Sequence, residues 1–175
     1  HGLNILEFNP GSEDPWRSGA QALAAFVEAI QSRALSAGEF NALIGAYQRT
    51  LEKWGVRPRP QSAGRAPVLA RLVETLSADP APESQALAAT LHQYAFGLYA
   101  DLFNVPTTVD LSHAQCAVFG LRALRENVER SLAPVFAWQV LNLVWNEVVA
   151  LGGAQNTHLI IDEAWYVLEQ PGAAA

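Results

Sequence analysis

The sequence predicts an α/β fold in which parallel strands form a core and a mostly helical block is inserted into it. Two apolar runs, "AQCAVFGL" (residues 114–121) and "THLIID" (residues 157–162), are typical of strands that are buried on both faces. Between them lies a long stretch with an apolar stripe at helical spacing, which ends at Gly152 and Gly153. Strand, helix and strand in this order predict a βαβ unit with two parallel strands and a right-handed crossover.

The N-terminal part predicts one short strand, or an extended entry into the fold, followed by helices. "GLNILEFNP" (residues 2–10) mixes β-forming and polar residues and stops at an Asn-Pro-Gly turn. Asp14 before Pro15 marks a helix start, because aspartate caps free amides and proline suits the first helical position. Further helical patterns continue to residue 100. We therefore expect residues 13–100 to form a mostly helical insertion.

Local signals mark the next helix and the loop after it. "SAGE" (residues 36–39) has the spacing of a capping box, in which a serine and a glutamate satisfy each other's backbone amides. Gly55 is the expected end of that helix. The helix would carry an apolar side made of Phe40, Leu43, Ile44, Tyr47 and Leu51. "VRPRPQSAGRAP" (residues 56–67) is predicted to be a loop, and two more helices follow it in "VLARLVETL" and "SQALAATLHQYAFGLY".

Charge and composition exclude several classes of function. The chain has 175 residues, a net charge of −6 and one lysine, Lys53, so it lacks the overall basic character of a nucleic-acid-binding domain. The single cysteine, Cys116, lies among apolar neighbours, which indicates a buried thiol in a reducing compartment. No apolar run is long enough to span a membrane. The chain starts at His1 and contains no methionine, so we expect it to be an internal piece of a longer protein.

An acidic pair follows the second apolar run in "LIIDEAW" (residues 159–165). One interpretation is a Walker B motif, in which Asp162 holds Mg²⁺, commonly through water, and Glu163 polarises the water that attacks the γ-phosphate of ATP. Adjacent residues at a strand end point in different directions, so the two carboxylates could divide these roles. The other interpretation is a strand that ends in polar residues as the chain leaves the core, since short motifs also match by chance.

Two further observations bear on this pair. His158 and Asp162 are four residues apart and would share a strand face, which allows a metal site, but His92 and His113 lie in unrelated contexts and complete no ligand set. The sequence also contains no Gly-x-x-x-x-Gly-Lys-[Ser/Thr] phosphate-binding loop, because Lys53 lies in "LEKWG" inside a predicted helix. We therefore expect the chain alone to be inactive toward ATP, with the phosphate-binding loop supplied from outside it.

The order of these segments resembles the C-terminal ATPase domain of the large cytoplasmic ATPase of conjugative and type IV secretion systems, in the HerA/FtsK superfamily of P-loop ATPases. "GLNILEFNP" resembles the segment after that family's P-loop, and "LSAGEFNALIGAYQRTLEKWGV" resembles its helix before a variable loop. "GLYADLFNVPTTVDL" (residues 97–111) resembles the return to the sheet. "CAVFGLRAL" and "LIIDEAWYVLEQP", in this order and at this separation, are the most specific matches.

The resemblance implies a RecA-like core made of residues 1–12 and 101–175, interrupted by the insertion at residues 13–100. It implies ATP and Mg²⁺ as cofactors, Asp162 as the Mg²⁺-associated carboxylate and Glu163 as the catalytic glutamate. Trp165 belongs to the same motif, and the large apolar area of tryptophan favours a buried anchor over a chemical role. Gly120 stands where the family more often has aspartate, so Arg122 is not placed in the site.

The resemblance also implies a setting for the whole protein. It implies a homo-oligomeric, hexameric ring at the cytoplasmic face of the inner membrane, in contact with secretion-channel components. DNA or protein cargo would not be held by a basic patch of this chain. Two other functions remain open: a DNA-translocating motor outside secretion, and a non-hydrolysing interaction module.

Overall fold

The computed structural model describes residues 4–7, 14–56, 66–109, 116–119 and 133–150, together with His158 and Ile160. The chain divides into two compact units, His1–Val109 and Asp110–Ala175. Among the described residues, the first unit holds α1 (Pro15–Gln31), α2 (Ala37–Lys53), α3 (Leu69–Ser77), α4 (Pro82–Ala95) and the short α5 (Ala100–Phe103), and the second unit holds α6 (Ala133–Ala150).

The first two helices begin as predicted. The Asp14 carboxylate accepts a hydrogen bond of 3.0 Å from the backbone N–H of Arg17, and Pro15 occupies the first turn of α1. At the start of α2, the Ser36 hydroxyl accepts from the backbone N–H of Glu39, and the Glu39 carboxylate accepts from the N–H of Ser36. Both predicted caps are therefore confirmed, because each depends only on residues within one turn.

Helix α2 ends at a left-handed glycine, which confirms the predicted stop. Gly55 has a φ of +67°. Its N–H donates to the carbonyl of Glu52 at 3.0 Å, and the N–H of Val56 donates to the carbonyl of Leu51 at 2.9 Å. This pair of bonds is a Schellman motif, and Val56 and Leu51, at the two positions whose apolar contact commonly accompanies the motif, are both buried.

The core of the first unit is formed by helices that pack against their neighbours along the chain, α1 to α2, α2 to α3, α3 to α4 and α4 to α5. Three buried aromatic rings meet inside it: Phe26 lies 5.1 Å from Phe103 and 5.8 Å from Tyr94, measured between ring centroids. Offset and edge-on contacts of this kind stabilise a core beyond the area they bury.

The predicted N-terminal strand is wrong for the residues that the structure describes. Residues 4–7 form a turn, in which the N–H of Glu7 donates to the carbonyl of Asn4 at 3.1 Å. The Asn4 side chain accepts from the N–H of Leu6 at 3.0 Å. An asparagine side chain that binds the backbone two residues later competes with strand pairing, which explains the turn.

The two apolar runs that were predicted to be strands of a βαβ unit are not strands where the structure describes them. Residues 116–119 are not in a strand, and Val118 is 90% exposed. His158 and Ile160 are likewise outside any strand, and Ile160 is 89% exposed. An apolar run identifies a strand only when neighbouring strands pair with it, and no described residue provides such a partner. The described structure is helical, so the predicted α/β class with a RecA-like core of parallel strands is wrong.

The long helix between those runs is confirmed as α6. Phe136 and Ala137 are buried near its start, whereas Trp145 is 63% exposed. The proposed boundaries of the helical insertion, residues 13–100, stay a prediction.

Candidate functional site

The predicted acidic pair lies outside the described residues. Asp162 and Glu163, and Trp165 beside them, therefore keep the roles assigned from the sequence as predictions. The described residues nearest to them in sequence, His158 and Ile160, are both exposed.

The alternative metal site gains no support from the described residues. His158 is exposed. The ring of His92 on α4 packs beside the ring of Phe96, with 5.2 Å between the two ring centroids. His113 and Asp162 lie outside the described part of the chain. Within that part, no group of three His, Cys, Asp or Glu side chains could hold a metal ion.

The prediction that Cys116 is buried is wrong. Its thiol is free and the residue is exposed. The prediction relied on the apolar neighbours of Cys116, but an apolar neighbour in sequence buries a side chain only if the segment itself packs into a core. Here Ala117 and Val118 are exposed as well.

In the first unit, the shifted pKa values of three side chains are explained by hydrogen bonds and burial that stabilise the fold. Hydrogen bonds from Arg33, and then from backbone at the start of α2, lower the pKa of the Glu39 carboxyl to about 2. The backbone N–H of Ala81 lowers the pKa of Asp79. Burial raises the pKa of the Tyr47 phenol. A perturbed pKa marks a functional site only when structure does not already account for it, so these groups are not assigned to catalysis.

The Asn4 side chain fixes the N-terminal turn to the helical unit. Its amide N–H groups donate to the carbonyls of Ala66 at 3.3 Å and Pro67 at 3.1 Å. Its backbone N–H donates to the hydroxyl of Thr107 at 3.0 Å, and that hydroxyl donates to the Glu7 carboxylate. These contacts join three segments that are far apart in sequence, so residues 4–7 have a defined position in the unit.

A second asparagine fixes the segment that follows α5. The Asn104 side chain accepts a hydrogen bond of 2.8 Å from the N–H of Ala70, in the first turn of α3. Val68, the residue before α3, offers no side-chain cap, so Asn104 satisfies this free amide from a distance in sequence. Because of these two asparagines, the segments on either side of the helical block are held to the start of α3.

One surface feature was not predicted from the sequence, and it lies at the end where α2 stops and α3 begins. The guanidinium carbon of Arg71 lies 5.2 Å from the centroid of the Trp54 ring, and Trp54 is 49% exposed. The hydroxyls of Thr50 and Thr75 bond at 3.0 Å farther along the same two helices. A lack of acidic residues between Glu52 and Glu74 is the sequence signal that could have drawn attention to this end.

Within the described ranges, no helix combines the length and the apolar character needed to cross a bilayer.

Comparison with known proteins finds a shared fold. The chain is similar to the solved structure of VirB4 of Thermoanaerobacter pseudethanolicus, with a TM-score of 0.80 and 22% sequence identity. The similarity covers 96% of this chain and 65% of that one, so the chain spans somewhat less than two thirds of the VirB4 structure. No family model and no curated protein matches the sequence.

Proposed function

We propose that this chain is part of a type IV secretion ATPase, which hydrolyses ATP to drive the transfer of DNA or protein substrates. The observation that carries the proposal is the fold shared with VirB4 over 96% of the chain. The acidic motif "LIIDEAW" adds chemical support, since an ATPase needs carboxylates that act on Mg²⁺ and on water. A fold alone does not specify an activity, so the motif is the part to test.

The proposed roles follow from the chemistry of the two carboxylates. Carboxylate oxygens are ligands that suit Mg²⁺, so Asp162 would hold the ion, commonly through a water molecule. The bound Mg²⁺ would offset the charge of the ATP phosphates. Glu163 would orient and polarise the attacking water. Trp165 would anchor the motif in the core rather than take part in chemistry.

The chain requires further sequence to complete this site. It contains no Gly-x-x-x-x-Gly-Lys-[Ser/Thr] loop to cradle the phosphates. The proposal therefore places the phosphate-binding loop elsewhere in the full-length protein, and an arginine from a neighbouring subunit in a homo-oligomeric, hexameric ring. It also places that ring at the cytoplasmic face of the inner membrane, in contact with other channel components.

The proposal is tested by the Mg²⁺ dependence of ATP hydrolysis. The full-length protein is expected to hydrolyse ATP, and the 175-residue chain alone is not. Asp162→Asn in the full-length protein should raise the Mg²⁺ concentration for half-maximal activity by about tenfold or more, the scale seen for groups that act on a metal through a second shell. Asp101→Asn, at an exposed position of α5, is the matched control and should leave it unchanged. An equal Mg²⁺ dependence in the unchanged full-length protein, in Asp162→Asn and in Asp101→Asn would contradict the assignment of Asp162.

A non-hydrolysing interaction module is the second candidate. The missing phosphate-binding loop and the helical character of the described residues favour it. Under this alternative, the full-length protein would not hydrolyse ATP with Mg²⁺ present, yet it would still bind channel components.

A further inference from the structure

Two segments that are far apart in sequence meet at one place in the first unit. Residues 4–7, which we call the entry segment, precede α1, and residues 104–107, which we call the exit segment, follow α5. The backbone N–H of Asn4 donates to the Thr107 hydroxyl at 3.0 Å, and the same hydroxyl donates to the Glu7 carboxylate. One hydroxyl of the exit segment therefore serves the entry segment both as acceptor and as donor.

Both segments are also bound to the start of α3. The Asn4 side chain donates to the carbonyls of Ala66 and Pro67, just before the helix. The Asn104 side chain accepts from the N–H of Ala70, in the first turn of the helix. The entry segment thus binds α3 through its preceding carbonyls and the exit segment through a free amide, so the start of α3 is the third member of this junction.

The entry segment is buried as well as hydrogen-bonded. Ile5 is 4% exposed and Leu6 is 0% exposed. The hydroxyl of Tyr47, a buried residue of α2, donates to the carbonyl of Leu6 at 3.4 Å. A segment at the edge of a domain is usually loosely held unless its side chains and backbone are tied into the fold. Here both are tied, so release of the entry segment carries a cost in free energy.

The three members of the junction depend on one another through shared residues. Asn4 binds the exit segment with its backbone and the start of α3 with its side chain. It is 6% exposed, so water cannot readily replace a partner that leaves, and an unpaired buried amide is costly. If the exit segment moves away, the N–H of Ala70 also loses its acceptor on Asn104. Networks of this kind are stabilised as a whole rather than bond by bond.

We infer that this junction is a clasp, in which the entry segment, the exit segment and the start of α3 open and close together. A packed, hydrogen-bonded contact has discrete closed and open arrangements rather than a continuous range. A displacement of the sequence before α1 would therefore reach α3 and the exit segment at the same time. The clasp is a device for transmitting such a displacement into the helical unit, requires no nucleotide, and is independent of both functions proposed above.

Hydrogen exchange of the unchanged 175-residue chain tests the clasp. The N–H of Leu6 donates to the Asn4 side chain and the N–H of Ala70 to the Asn104 side chain, so these two amides report on opposite sides of the junction. Exchange is followed by NMR at single amides in increasing urea, below the concentration that unfolds the chain. If the junction opens as one, both amides should show the same free energy of opening and the same dependence on urea.

Removing the shared hydroxyl should release both sides at once. Thr107→Val keeps the shape of the side chain and removes its hydrogen bonds, so exchange at Leu6 and at Ala70 should accelerate by the same factor, about tenfold or more. Thr107→Ser retains a hydroxyl and should keep both amides slow. Thr90→Val is the matched control, because the Thr90 hydroxyl donates to the carbonyl of Ala86 within its own helix, and it should leave both amides unchanged.

Three results would overturn the clasp. The first is exchange at Leu6 that is far faster than at Ala70 in the unchanged chain, which would mean that the entry segment opens by itself. The second is acceleration of Leu6 alone in Thr107→Val. The third is equal acceleration of the α6 amides, which would make general destabilisation the cause. If Thr107→Val does not fold, the comparison of the two amides in the unchanged chain decides the matter by itself.

Discussion

Ser36 and Glu39 cap each other at the start of α2. The N–H of Ser36 donates to the Glu39 carboxylate at 2.9 Å, and the N–H of Glu39 donates to the Ser36 hydroxyl at 3.2 Å. Arg33 adds two hydrogen bonds to the same carboxylate, at 2.9 and 2.6 Å. The first turn of α2 is therefore stabilised from its own residues and from the end of α1.

Removing the Ser36 hydroxyl should lower the free energy of unfolding. Ser36→Ala leaves the N–H of Glu39 without its acceptor, which typically costs about 1 kcal/mol. Ser18→Ala, inside α1, is the matched control and should not destabilise the chain, since alanine favours a helix interior. Urea unfolding measures both. Equal midpoints for Ser36→Ala and the unchanged chain would show that the capping box contributes nothing.

Because of the Glu39 carboxyl, the free energy of unfolding should depend on pH in the acidic range. Its pKa in the folded chain is about 2, mainly because of the Arg33 hydrogen bonds, and an unfolded glutamate has a pKa of about 4.3. The folded state therefore favours the ionised form. The stabilisation is complete above pH about 4.5 and is lost as the pH falls toward 2. Urea midpoints measured across this range should fall less steeply for Glu39→Gln, and parallel curves would contradict the role of Glu39.

Replacing two glycines of the α2 region by alanine should change the stability of the chain in opposite directions. Gly55→Ala places a side chain at a φ of +67°, which costs about 1 kcal/mol or more, although no atom of the described residues outside its chain neighbours lies within 4 Å of the new Cβ. Gly45→Ala lies inside α2 and should stabilise by roughly 0.5–1 kcal/mol. The nearest atom to its Cβ is the flexible Nη1 of Arg49, at 3.4 Å. Thermal unfolding checks the order, and a Gly55→Ala variant as stable as Gly45→Ala would contradict it.

Asn4 should be far more important for stability than its position near the N-terminus implies. It is 6% exposed, and Asn4→Ala removes the acceptor of the Leu6 N–H and the donors to two carbonyls. Leaving buried polar groups without partners costs about 1–3 kcal/mol. Asn41→Ala, at an exposed position of α2, is the control and should be neutral or slightly stabilising. A loss for Asn4→Ala no larger than that for Asn41→Ala would contradict this network.

Features that depend on one helical turn were predictable from the sequence. The Asp14 cap, the Ser36–Glu39 box and the stop at Gly55 involve residues at most three apart, or a single backbone angle, and all three were confirmed. The strands were not predictable, because strand formation depends on partners elsewhere in the chain. At Asn4, a side-chain hydrogen bond to the backbone replaced the expected strand with a turn.

Contacts between residues that are distant in sequence could not be predicted either. The 16 residues between Trp54 and Arg71 give no signal that these two side chains meet, because that contact requires α2 and α3 to pack. For the candidate site, the sequence provides residue types and order in "LIIDEAW", which predict a chemistry. The geometry of Asp162 and Glu163 remains a prediction.

The most direct test of the central claim is ATP turnover of the full-length protein that carries Glu163→Gln. If Glu163 positions the attacking water, ATP binding should survive while turnover falls by at least about a hundredfold, the scale of losing one general acid–base group. Glu169→Gln, six residues farther along the same stretch, is the matched control and should keep its turnover. Unchanged turnover in Glu163→Gln would contradict the assignment of "LIIDEAW" to ATP hydrolysis.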